Sequence, residues 1–576
     1  MSASASNLSS GHYGYDFVVA VTQASINATL KAFMRNLQEP IVTVYYVADD
    51  NGNPVQMDFQ SFKKVAGETD PFTMPDGADP HGVDVKNLIN ARFLAGFRAR
   101  IGIPPVQDSS DIPDIVTLGS DISTVLYNMV CSEFTVVQLK FGGYGPTSFV
   151  SNSQPTDKPW YMQSTVNLNL SAVDNPGFQN LPAAVQNQIK NMRGSPFSVQ
   201  QLLFDLSSAR LESPPTMKNV EPGTPACMLL TEFFTGAYFA EMRKDGQPLL
   251  GCSVVPQQAE AATLTITDMN LMSNQYIDST TGQPVQSPLP WQKGLNTLNY
   301  LCAADKKPLP PSTHFGWNWL EQADMGDHDG ILAINRNSLR DYIIQHVKDY
   351  IPKVCFLVDA HAKTSGGLGS NMWVDLPTGG QATLTQKTGE TVFSYDYSCN
   401  SYDEAGFHGN NGSLDVSTSF HMQTDFTNTT DGTPTIVITQ NLTININMKR
   451  NLTRTSGSVV DKTIVDTYTL AVDDNGKLGA TLVPYTVDKG ATPTTDGFQD
   501  FFTNSNTVAE EIKQQASAIV SSDMQDIPVS ILQNYVFPGG QTFAFKDARF
   551  SDNQDLLASI TYVDPTRSAT VPSDMS

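Results

Sequence analysis

The sequence predicts an α+β fold made of two related units in tandem, each combining long antiparallel strands with amphipathic helices. Three observations carry that prediction. First, the chain repeats itself at long range: Asp16–Ile26 (DFVVAVTQASI) matches Asp329–Leu339 (DGILAINRNSL) at an offset of 329 − 16 = 313, with Asp, Ala and Ser coinciding and aliphatics meeting aliphatics. Further matches follow in order: Gln188–Lys190 with Glu511–Lys513, Phe197–Val199 with Ile527–Val529, and Ala209–Leu211 with Ala548–Phe550. A period this long describes two halves, since solenoid repeats are far shorter. Second, several segments alternate apolar and polar residues over unusual lengths. Third, apolar residues recur at helical spacing at the start and end of each half.

At 576 residues there is room for about two to four domains, and either half is long enough to bury a full core. Hydrophobic content of 40% with only 16% charged residues excludes general disorder, and the richness in Ser, Thr, Asn and Gln suits strands with one wet face. The Pro-rich stretch 306–312 (KKPLPPS) is the natural boundary, giving a first unit 1–305, a second unit 313–565 and a disordered polar tail 566–576.

Each unit opens with a strand that turns directly into a helix. Val18–Val21 is an unbroken apolar run; Thr22 or Ser25 can cap; Ile26, Leu30 and Phe33 then recur at helical spacing. Ile331–Ile334 followed by Leu339, Ile343 and Val347 repeats the pattern. A second helix is expected near the end of each unit, on Leu181, Val185, Ile189 and Met192 and on Val508, Ile512, Ala516 and Ile519, the latter with Thr507 and Glu510 as a capping box. Between them lie strands. The clearest is Ile436–Met448, which at about 3.3 Å per residue spans about 43 Å. Shorter alternation marks Met162–Leu170, Leu264–Ile266, Phe393–Tyr397 and Ile464–Val472. Asp49–Gly52 and Asp473–Gly476, both DDNG, read as hairpin turns.

The formal charge of −23 argues against nucleic acid as a partner and against simple electrostatic adsorption to anionic membranes, since both need clustered cations. Short basic pairs such as Lys306-Lys307 and Lys449-Arg450 are not extended into a longer cluster. Six scattered cysteines without a CxxC pair signal neither a zinc site nor a disulfide framework. The N-terminus has no charged-then-apolar leader, which predicts a cytoplasmic protein and leaves non-classical export open. HExxH, GxxxxGK[ST] and GxSxG are absent, so no catalytic residue and no cofactor is assigned. Asp327, His328 and Asp329, with His361, form the one local group with metal-ligand chemistry. Asp329 matches Asp16, where no His is present, so the expectation is a structural role and no metal site. The aromatic cluster Phe315–Trp319 and the pairs Phe233-Phe234 and Tyr238-Phe239 are expected in the core; exposed, the first would offer a carbohydrate or peripheral membrane contact.

These residues resemble the tubular lipid-binding (TULIP) superfamily, and within it the OrfX group of companion proteins encoded beside clostridial neurotoxins. The resemblance rests on Gly14–Val21, on Phe315–Trp319 ahead of Asp329–Asn335, and on Phe537–Gly540. It implies two tandem TULIP-like units, each a long, highly curved antiparallel sheet wrapped around amphipathic helices, and a non-enzymatic protein holding a lipid or other hydrophobic ligand in an apolar interior. The residues expected to face that ligand are Val166, Leu168, Leu170, Val185 and Ile189 in the first unit, and Ile438, Leu442, Ile444, Val508 and Ile512 in the second. The alternative is a toxin-cluster-type companion with filled tubes that binds a protein partner through its surface.

Overall fold

The computed structural model describes residues 2–35, 41–104, 112–119, 124–173, 197–204, 216–244, 251–256, 264–365, 369–407, 410–474, 476, 478–491, 505–516, 536–538 and 543–562. It is an α+β protein dominated by antiparallel sheet, with eight α-helices among the described residues. A six-stranded sheet joins the two halves, its strands running Ile266–Asn274, Thr297–Ala304, Phe17–Thr22, Gly330–Ile334, Leu556–Tyr562 and Phe543–Phe550. Three strands precede residue 305 and three follow it.

The duplicated segments are the two middle strands, paired with each other. Their antiparallel register places Val19 opposite Leu332, its own counterpart at the 313-residue offset (332 − 19), with Phe17 opposite Ile334 and Val21 opposite Gly330. A local two-fold axis therefore passes between Val19 and Leu332. The hydrogen bonds obey it. Thr22 N–H donates to Asp329 O at 3.0 Å, and Asn335 N–H donates to Asp16 O at 2.9 Å. Ser25 Oγ donates to Asp329 Oδ1 at 2.6 Å, and Ser338 Oγ donates to Asp16 Oδ1. Each copy's aspartate thus holds the other copy's helix. Thr22 and Asn335 also cap those helices, accepting from Ser25 N–H at 3.2 Å and Asn337 N–H at 2.9 Å.

All six residues of Phe17–Thr22 are buried, because both faces of this sheet are covered. Phe17, Val19 and Val21 belong to the main core, while Val18 and Ala20 meet Tyr15, Phe315, Trp317 and Trp319 on the opposite face. A strand buried on two sides reads as a continuous apolar run, which is how these segments read. The aromatic cluster is core, with Phe315 and Trp319 ring centres 4.9 Å apart.

The first half supplies most of an 11-stranded sheet, whose main path runs Val536–Pro538, Gly251–Pro256, Phe197–Phe204, Tyr161–Val173, Thr124–Gly142, Phe93–Ile101, Ile41–Ala48, Pro54–Met57. Its outermost strand on one side comes from the second half, so the halves are interlocked beyond the shared sheet. The second half forms a six-stranded meander, Thr383–Gln386, Thr391–Phe407, Asn410–Asn428, Pro434–Arg450, Thr453–Val472 and Leu478–Asp488. Asp49 Oδ1 accepts from Asn51 N–H and Asn53 N–H, both at 2.8 Å, and Gly52 takes φ 83°, the left-handed turn that DDNG encodes.

Several expectations are corrected. The strand on the two-fold counterpart of Phe543–Phe550 is Ile266–Asn274, while Ala209–Leu211, Gln188–Lys190 and Ile527–Val529 of the expected matches lie outside the described residues. The helix carrying Val508 and Ile512 spans Ser505–Ala516, which puts Thr507 inside its first turn and removes it from the cap position. The strand expected at Leu264 starts at Ile266, after Leu264 takes φ 57°. The helix expected on Leu181–Met192 lies outside the described residues.

Candidate functional site

The long strands of the second half deliver one apolar face. Along Pro434–Arg450 burial alternates strictly from Ile436 to Met448: Ile436, Ile438, Leu442, Ile444, Ile446 and Met448 point inward, and Thr439, Asn441, Thr443, Asn445 and Asn447 point outward. Leu414, Val416, Phe420 and Met422 on one neighbouring strand and Ile464, Tyr468 and Leu470 on the other extend that face. Two helices cover it. Arg336–Val347 brings Leu339, Ile343 and Val347; Ser505–Ala516 brings Val508, Ala509 and Ile512 onto Thr453–Val472 and Gly369–Asp375. Ile438, Leu442, Ile444, Val508 and Ile512, the five residues expected here, lie in one apolar cluster, each at most 3% exposed.

In the first half Val166 joins the same cluster at 1% exposure. Leu168 and Leu170 lie on Tyr161–Val173, opposite Phe204 and Leu202. Val185 and Ile189 fall outside the described residues. What covers this sheet is a helix absent from the expectations, Pro225–Lys244, whose Leu230, Phe233, Phe234 and Tyr238 are fully buried. Phe233 stands 5.4 Å from both Phe97 and Phe134, ring centre to ring centre. Its apolar residues show no clean stripe, which hid it. Its start was readable, since Thr224 accepts from Cys227 N–H at 3.2 Å and Pro225 occupies the first turn.

Two polar residues interrupt the inward rows. Gln440, between Ile438 and Leu442, accepts from Tyr350 Oη at 2.7 Å. Asp466, between Ile464 and Tyr468, is fully buried, and burial raises its pKa. The alternation itself marks both positions, because residues an even number of steps along a strand share a face. The opposite, outward face carries a polar groove of about 590 Å³, with Asp396, Ser398, His421, Asn441 and Thr443 among its lining residues. None of the ten residues expected to meet a ligand lines it.

The His-Asp residues do not converge. His328 sits between Asp324, with Nδ1 3.6 Å from Oδ1, and Asp547, with Nε2 3.2 Å from Oδ2. His361 lies on a separate hairpin, 3.1 Å from Asp375 and stacked on Trp373. Asp329 turns to Ser25 and to Thr561 Oγ1, which donates at 3.0 Å. Among the described residues no group of three His, Cys, Asp or Glu could hold a metal ion, and no helix is long and apolar enough to cross a membrane.

Hydrogen bonds to Asp324 and Asp547 push His328 up to about 9. A raised histidine stabilises the fold fully below its unfolded value near 6.5, and that stabilisation is lost as pH rises through about 9. Both carboxylates are held below their usual range, chiefly by hydrogen bonding to His328, so their share is lost only as pH falls through those lowered values. The expected result is a decline in melting temperature between pH 7 and 10 that His328→Gln flattens, worth about 2 kcal/mol after allowing for partial exposure. NMR titration of the His328 ring, with its midpoint near 9, checks the assignment.

No family model matches the chain, and no curated protein matches it. Solved structures do. The chain is similar to P47 of Clostridium botulinum E1 at 11% identity, over 95% of this chain and 98% of that one, with a TM-score of 0.39. P47 from Clostridium botulinum A2 matches at 9% identity, over 95% and 97%, with a TM-score of 0.39. A lipopolysaccharide binding protein matches at 10% identity, over 96% and 99%, with a TM-score of 0.25.

Proposed function

We propose that this chain is a non-enzymatic binder of a lipid or other hydrophobic ligand, built as two tandem TULIP-like units, 1–305 and 313–565, with the ligand taken up between a sheet and the helix that covers it. One observation carries the reading: the inward face of the second sheet is aliphatic across several long strands, and of the two helices on it Ser505–Ala516 contributes, among its described side chains, Val508, Ala509 and Ile512. Burying those three side chains is worth about 5 kcal/mol, whereas an acyl chain of about a dozen methylenes entering from water gains about 10. The helix is therefore a displaceable wall. Gln440 and Asp466 supply polar groups to orient a head group, as in apolar sites generally.

A second reading has its own support. Ile438, Ile444, Val508 and Ile512 have no exposed surface, so the protein's own atoms already fill the space against them. On that reading the interior is solid core and the chain acts through its surface on a protein partner.

Native mass spectrometry of gently purified protein, followed by organic extraction, separates the two. The proposal expects stoichiometric lipid, lost in the pair Ile438→Gln with Ile444→Gln under conditions where the circular dichroism spectrum stays native. An empty chain after exposure to a lipid library gives the case to the filled interior.

A further inference from the structure

The turn between Pro434–Arg450 and Thr453–Val472 in the second sheet is unlike the rest of this acidic chain. Arg450 pairs with Thr453, so Asn451 and Leu452 alone form the loop, with Asn451 at φ 53°. Turn chemistry here favours Gly, Asn or Asp. The chain places Leu452 there instead, fully exposed at 103%. A leucine held in water at a hairpin tip contributes nothing to the core.

Cations surround it. Lys449 and Arg454 are exposed and paired in register across the hairpin, and Arg450 flanks the loop. Arg454 Nε donates to Asn447 Oδ1 at 2.9 Å, which holds the guanidinium beside the lysine. Among the described residues no carboxylate lies within ion-pair distance of Lys449 or Arg454. By register the nearest outward-facing carboxylates are Asp415, opposite Asn447 and so about 7 Å from Lys449 on the diagonal, and Glu404, two strands away at about 10 Å. The strand Pro434–Arg450 is 17 residues, about 55 Å, long. Screening acts over about 8 Å in physiological salt, so most of the chain's negative charge is not felt at this end.

The hairpin joining Thr124–Gly142 to Gly145–Ser153 repeats the composition. Lys140 precedes Phe141, 50% exposed, and Tyr144 stands at 109%.

We propose that the Arg450–Thr453 turn is a docking tip for an anionic lipid bilayer, with Leu452 entering the interface while Lys449 and Arg454 meet lipid phosphates. An apolar residue gains by leaving water for the headgroup and acyl boundary, and cations are attracted by the negative surface potential; this tip presents both at one point. Net charge misleads here because it averages over distances that salt screens. The tip lies apart from the apolar interior, so docking stands or falls independently of ligand uptake.

The test is co-sedimentation of the full chain with vesicles of phosphatidylcholine alone or mixed with phosphatidylserine, at low and high salt. Binding is expected only to the phosphatidylserine vesicles and only at low salt. Leu452→Glu, and separately Lys449→Glu with Arg454→Glu, are each expected to weaken it more than about tenfold. Because these side chains are exposed, melting temperatures should match the unmodified chain. Leu452→Trp should show a blue-shifted emission on the same vesicles. The proposal is overturned if the unmodified chain stays in the supernatant, if Leu452→Glu binds equally well, or if only Tyr144→Ser abolishes binding. Native mass spectrometry of Leu452→Glu keeps the readings apart, since interior lipid should be unchanged.

Discussion

Gly330→Ala is expected to cost about 4 kcal/mol or to prevent folding. Gly330 begins the second copy's strand and lies between Val21 and Ile560. A Cβ there would stand 2.2 Å from Ala20 O and 3.1 Å from Ile560 Cδ1. The side-chain contact could adjust, but the carbonyl oxygen cannot: it belongs to the neighbouring strand of the same sheet. Relief requires the two duplicated strands to move apart, which breaks the pairing that joins the halves. Gly432→Ala is the control. It has φ 88° and open space around it, so only backbone strain of about 1 kcal/mol is expected. Denaturant unfolding of the two variants side by side measures the difference. Equal losses would mean that the sheet spreads at Gly330 without resistance.

What the sequence made legible follows from periodicity. Ile436–Met448 could be read as a strand with its inward face because a period of two leaves no freedom about which side chains share a face, and Ile438, Leu442 and Ile444 point inward as read. The opening strand and helix of each half were legible because a doubly buried strand is a solid apolar run and its cap is a short side chain. Pro225–Lys244 was not, since a helix with apolar residues around much of its circumference has no stripe to detect, leaving only Thr224 and Pro225 as a start signal. Pairing between distant strands was also hidden. Nothing in Val536–Pro538 indicates that it adds to Gly251–Pro256, because backbone pairing is chosen by the whole chain's topology and barely by side-chain identity. The Lys449-Arg450 pair was visible as a motif, but its meaning depended on finding Leu452 at the tip of a hairpin, which is a fact of register.

The aspartates at the two-fold axis carry the second large expected effect. Asp16 Oδ2 accepts from Ala304 N–H at 2.8 Å, while Oδ1 takes the Ser338 hydroxyl and Lys307 Nζ, the latter at 2.8 Å. Removing this carboxylate leaves Ala304 N–H buried without its acceptor, at about 1–3 kcal/mol, and frees the hydroxyl that fixes the second copy's helix. Asp16→Ala is expected to cost about 3 kcal/mol. Lys307 is half-exposed and can turn to water, so the ion pair itself contributes little of this. Asp329→Ala is expected to cost about 2 kcal/mol, since its carboxylate accepts from the Ser25 and Thr561 hydroxyls. The double variant distinguishes a junction from two local anchors. If each aspartate only tidies its own strand entrance, the losses add. If together they tie each half to the other's helix, the second removal acts on an interface already loosened, and the losses differ from additivity by about 1 kcal/mol. Calorimetry supplies a further readout: the unmodified chain, with three strands from each half in one sheet, should melt in a single transition, and the double variant in two. A single transition and strict additivity in the double variant would show that the halves are joined by backbone pairing alone.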